Sequence, residues 1–239
     1  MPAVKFTGSA LENRVDTSTY PGLFRYRITA ITTEMGGVIG VSYTLPTACS
    51  TSATPSSNTA SCFPEYWTPS GYISPMRDWF NKYAVQEVLE TDTTGGSATK
   101  ETDYLYSGAA WHYDDDENTK PKYRTYGQWR GYQQVTTTTG NGAGDDRTKQ
   151  VDSYYQGMDG DWLSSTSTRS VSLTDSQGGS HTDTAQLSGK ILESASYLGS
   201  GGGVDHSTIS SYWVSAATAT RTRSGLPDLT ARALSLIHI

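Results

Sequence analysis

The segment WHYDDDENTKPKYRTYGQWRGY, residues 111–132, holds the densest set of side chains able to do chemistry in this sequence. Asp114, Asp115, Asp116 and Glu117 stand between Trp111 and Tyr113 on one side and Tyr123, Tyr126, Trp129, Arg130, Gly131 and Tyr132 on the other. Carboxylates packed this closely are the hard oxygen ligands that calcium takes. The run lacks, however, the spaced acidic positions and central glycine with which an EF-hand loop folds around its ion. A solvated turn is the preferred reading. A second acidic pair lies in Gly157-Met158-Asp159-Gly160-Asp161. Carboxylates two residues apart share a face on a strand, whereas in a turn they chelate or cap backbone amides, and capping is preferred.

Glycoside hydrolysis needs two carboxylates at a defined separation across a cleft. No local pattern selects such a pair, so a hydrolase is the weakest of three readings, with Asp115 or Asp159 the first residues to test. His112, His181 and His206 each lie near an aspartate, as chance allows in an Asp-rich chain. The sequence has no GxSxG elbow, HExxH helix, GxGxxG turn or phosphate loop. The expectation is therefore no enzyme, no catalytic residue, no cofactor and no metal ligand. The aromatic residues from Trp111 to Tyr132 can stack on sugar faces, but rings at this density more often line the inner face of a sheet.

The elements that must carry these residues are β-strands. The chain has 64 serines and threonines, 16 tyrosines and 6 tryptophans among 239 residues, a composition suited to pleated, half-wet surfaces. The net charge of −6, with 7 lysines, leaves no basic stripe for a phosphate backbone, so nucleic acid is not an expected partner. No window approaches the roughly 20 apolar residues of a membrane-crossing helix, and the first residues lack the charged start and apolar run of a signal peptide. Cys49 and Cys62 enclose a polar segment with no further zinc ligands nearby. A disulfide closing that loop is one reading, which would place the protein in an oxidising compartment; two free thiols is the other.

Alternation of apolar and polar residues on either side of glycine turns marks four hairpins. They are LFRYRITAITTE with VIGVSYT, YAVQEVLETDTTGGSATKETDYLYS, WRGYQQVTTTTGNGAGDDRTKQVDSYYQG and RSVSLTDSQGGSHTDTAQLSG. Two of the turns, TDTTGGSAT (91–99) and TDSQGGSHT (174–182), are near copies, and TEMGG (33–37) is a looser third. The repetition suggests strands laid side by side; convergence of Gly-Gly turns is the alternative. PMRDWFNKYAVQ (75–86) is expected to hold one or two helical turns opened by Pro75, and residues 189–197 are too short a pattern to decide. Residues 46–75 read as a long loop or insertion and GSGGG (199–203) as a flexible break. Alternation should place Tyr and Val on one face of the sheet and Thr and Arg on the other.

Long phrases in the chain resemble a known family. AAWHYDDD (109–116), WRGY (129–132) and GMDGD (157–161), within a stretch strongest from residue 78 to 161, are similar to actinobacterial Rhs-type YD-repeat proteins. These are polymorphic toxins related to the shell components of insecticidal toxin complexes and to teneurins. The resemblance runs from NRVD (13–16) to GLPDLTARA (225–233). It implies an all-β fold of antiparallel hairpins forming part of an extended, curved shell, in a secreted or surface-associated protein used in competition between cells. The expected partners are the rest of that shell and a C-terminal toxin. The family's later YD repeats and self-cleaving aspartyl segment are not in this sequence, so no catalytic residue carries over. Residues 1–233 are then expected to be part of a longer chain. The last six, LSLIHI, match the translation of CTG TCT CTT ATA CAC ATC, a library adaptor, and are expected not to be native. The runner-up reading is a secreted β-module that binds glycans or a cell surface, with Trp129 as its first candidate residue.

Overall fold

The computed structural model describes residues 2–16, 18–140, 147–164 and 166–237. The fold is all-β, and no α-helix occurs among the described residues. In chain order the first strands are β1 (Lys5–Glu12), β2 (Phe24–Thr32), β3 (Val38–Thr44), β4 (Cys62–Trp67), β5 (Met76–Asn81) and β6 (Ala84–Thr91). There follow β7 (Lys100–His112), β8 (Gln128–Gly140), β9 (Thr148–Tyr154), β10 (Trp162–Ser164), β11 (Ser167–Thr168), β12 (Ser172–Thr174) and β13 (Ser180–Thr182). The last are β14 (Ile191–Tyr197), β15 (Val204–Ile209), β16 (Ser211–Val214), β17 (Ala219–Arg221), β18 (Leu229–Ala231) and β19 (Leu234–Ile237).

Nine strands form one antiparallel sheet in the order β1-β2-β3-β6-β7-β8-β9-β14-β15. All four hairpins marked by glycine turns are present, as β2–β3, β6–β7, β8–β9 and β12–β13. The turn between β8 and β9, residues 141–146, lies outside the described residues. The Thr-rich run 136–139 sits in β8, where β-branched side chains suit the pleat.

The near-copy turns share one construction. The backbone N–H of Gly95 donates to the Asp92 carbonyl, that of Gly178 to Asp175, and that of Gly36 to Thr33. All three glycines have φ between 80° and 85°, a region that glycine enters without the Cβ penalty. In the two aspartate versions the side chain completes the turn. Asp92 accepts the N–H groups of Thr94, Gly96 and Ser97, and Asp175 those of Gln177 and Gly179. An Asx-type bond is therefore the physical content of the repeated TDxxGG.

Two expectations are corrected. Residues 75–86 form no helical turns: they contain β5 and the start of β6, and β5 pairs with β4. Trp79 and Phe80, adjacent in sequence, are both buried. A strand covered on both faces loses its period of two, which leaves a run that resembles a helix segment. Residues 46–75, read as a loop or insertion, lie between β3 and β6, which are neighbours in the sheet, and contain β4, with Cys49 and Cys62 joined as a disulfide at its start. GSGGG, expected as a flexible break, is the turn of a further hairpin, β14–β15, closed by the Leu198 N–H on the Gly203 carbonyl at 3.0 Å.

Two packed regions hold the molecule together. Tyr155, Leu173, Leu187 and Leu192 form an apolar cluster with Val171, Tyr212 and Val214 against it. An aromatic chain runs from Tyr106 through Tyr132, Trp129 and Trp111 to Phe63 and Phe80, with ring centroids 4.7–5.9 Å apart. The other end of the sheet is bare. Phe24, Tyr26 and Ile28 alternate with Arg25, Arg27 and Thr29 as read, but Tyr26 is 83% exposed and Phe6 on β1 66%. Ile28 and Tyr26 face small neighbours across the strand pair, Gly8 and Ala10, which leaves these two side chains standing clear of the sheet.

Candidate functional site

The acidic loop after β7 is consumed by bonds to its own chain. Asp114 accepts the N–H of Asp116 and the Gln128 side chain, and Asp116 accepts both nitrogens offered by Asn118. Asp115 pairs with Arg223 at 2.7 Å, and Arg223, almost fully buried, also donates to the carbonyls of Asp115 and Pro227. Glu117 receives Arg221 through both carboxylate oxygens. The loop thus clamps the segment between β16 and β18, and the local sequence gives no sign of this because the arginines lie more than a hundred residues away. Glu87, Glu101 and Asp103 bring three carboxylates close together elsewhere, but Arg147 pairs with both Glu101 and Asp103.

The GMDGD loop is held by an aspartate whose role the sequence does not disclose. Asp183 is fully buried, and its carboxylate accepts the N–H groups of Gln156, Gly157 and Met158 at 2.8–2.9 Å. Gln156 sends its side-chain amide to the carbonyls of Gly108 and Gly131, both at 2.7 Å, which locks the irregular stretch of β7 and β8. Three consecutive amides converging on one carboxylate is an anion nest built from within. Asp159 caps the N–H of Val171, in accord with the preferred capping role. Asp161 accepts the Tyr113 N–H and pairs with Arg169, while Arg169 also reaches the Ser56 carbonyl.

Around this loop lies a cavity of about 800 Å³. It gathers Tyr113, Asp115, Arg130, Gly157, Asp159, Gly160 and Asp161 from the three hallmark phrases. His112, Trp162, Thr184 and Val214 also line it, together with Asp228, Leu229 and Arg232 at and beside β18. Nε2 of His112 lies 3.4 Å from Asp161. Burial holds His112 below the ordinary imidazole value, with Asp161 opposing, and burial likewise pushes the Tyr113 and Tyr126 phenols up. Tyr113 stacks on Trp162 with centroids 5.6 Å apart and planes at 27°. No family model, curated protein or solved structure matches the chain.

The remaining motif residues lie elsewhere. Trp111 is buried, donates its indole N–H to the Ala60 carbonyl and stacks on Phe63. Trp129 and Tyr132 pack beside it, and Lys82 sits over the Trp129 ring. Trp111 and Tyr132 are inner lining, whereas Trp129 is half-buried beside them. Gly131 supplies a positive φ of 89° in β8. Asp114 and Asp116 shape the acidic loop. The residues that sequence reasoning missed, Asp183, Gln156, Arg223 and Trp162, act through partners distant in the chain.

Proposed function

We propose that this chain is a structural segment of a β-walled shell of the Rhs/YD type, secreted or displayed at the cell surface, that encloses a C-terminal effector and helps deliver it. The observation that supports this reading is the nine-stranded antiparallel sheet, built by hairpin after hairpin and bearing uncovered rings on β1 and β2. A sheet of this kind is suited to continuation by further strands, because β1 and β15 stand at its edges, and its uncovered apolar face gains from a second layer. The internal use of the motif carboxylates fits a wall better than a catalyst: Asp115, Glu117 and Asp161 each pair with an arginine. In this reading the hallmark phrases are fasteners. WRGY and GMDGD meet through Gln156, and AAWHYDDD meets GMDGD through the Tyr113 N–H on Asp161.

The test is the gene itself. A long read across the locus is expected to continue in frame into YD repeats and a variable C-terminal tip. A signal sequence directly before Met1 and a stop codon directly after Ile239 would overturn the reading.

A further inference from the structure

The cavity around the GMDGD loop goes beyond the role of a wall segment. Its volume of about 800 Å³ is within the range of small-ligand sites, roughly 300–1,000 Å³. The chemistry of its lining narrows the ligand. Asp115 and Asp161 are committed to Arg223 and Arg169. Arg130, Arg232, Asp159 and Asp228 also line it, and none of them has an ion-pair partner among the described residues. Two guanidinium groups and two carboxylates in one cavity balance in charge, so neither an anion nor a cation is favoured as a whole. They offer strong donors and strong acceptors together, the combination that hydroxyl groups satisfy because each both donates and accepts. Trp162, braced by Tyr113, adds an apolar wall of the kind that packs against the C–H face of a sugar ring.

We infer that this cavity binds a neutral saccharide, with Arg130 and Asp228 as the polar residues that fix its hydroxyls. The probe is an array of neutral oligosaccharides built from hexoses and N-acetylhexosamines, with glycans containing uronic or sialic acid as the acidic set. Binding of neutral members is expected, with quenching of tryptophan fluorescence in titrations of the best of them. Asp228→Asn, at an exposed position, should lower affinity about tenfold without moving the melting temperature, the scale of one charged hydrogen bond. Arg130→Gln should do the same, and Arg232→Gln serves if Arg130→Gln fails to fold. Three results would overturn the inference: no binding to any neutral glycan at millimolar concentration, binding confined to the acidic set, or neutral binding that Asp228→Asn and Arg232→Gln both leave unchanged.

Discussion

The guanidinium of Arg14 is buried against Asp78, with Nε 2.6 Å from the carboxylate, and this one pair ties the N-terminal segment to β5. Arg14 also donates to the carbonyls of Tyr20 and Pro21, while Asp78 accepts the Trp67 indole N–H. Removing one partner leaves the other charge buried and alone. Asp78→Ala is expected to cost about 3–5 kcal/mol in urea unfolding. The double variant Arg14→Met, Asp78→Leu should cost less than Asp78→Ala, because no orphaned charge remains.

Two glycines separate conformational cost from crowding. Gly157 has φ +71°, and a Cβ there would meet Ser188 Cβ at 2.9 Å and Ala185 Cα at 3.0 Å. Gly95 has φ +80°, and a Cβ would meet nothing within 4 Å. Gly95→Ala should cost about 1–2 kcal/mol, the left-handed penalty alone. Gly157→Ala should cost more and shift the thermal melt further, since the GMDGD loop must move off the turn at Ala185 and Ser188.

The Cys49–Cys62 disulfide closes a short loop against the base of the aromatic chain. Replacing both cysteines by serine should destabilise the protein by about 3 kcal/mol under oxidising conditions. A reductant should lower the melting temperature of the parent and leave that of the variant unchanged.

Stability should fall on both sides of neutrality, for opposite reasons. His112 is held below its ordinary value by burial, so below about pH 6.5 the unfolded chain binds the proton first and stability drops as pH falls. His112→Gln should flatten this limb in melts between about pH 7 and 5. Burial pushes Tyr106 and Tyr155 up to about 12, so the folded state keeps protons that the unfolded state loses above about pH 10. Stability is then lost as pH rises, and ultraviolet titration should show these two phenols ionising late.

The hairpins were legible because alternation and glycine turns are local signals, and the repeated TDxxGG turned out to encode a specific set of Asx bonds. The strand at 76–81 was not, because Trp79 and Phe80 are buried side by side and a run covered on both faces has no period. The candidate site was legible as phrases and opaque as a site. GMDGD and WRGY stand out in sequence, yet what holds them is Asp183 and Gln156, ordinary residues whose partners are chosen by the fold. The acidic loop was read as solvated, and its aspartates do shape a turn. Its attachment to Arg221 and Arg223 depends on a sequence separation of over a hundred residues, which composition cannot reveal.

That attachment is graded. Arg221 and Glu117 are both well exposed, whereas the Arg223 side chain is 5% exposed beside Asp115. Dissolved ions screen the first pair and barely reach the second. In concentrated salt the segment between β16 and β18 would loosen at Arg221 and stay pinned at Arg223, so dissolved ions release its outer fastening and leave the inner one in place.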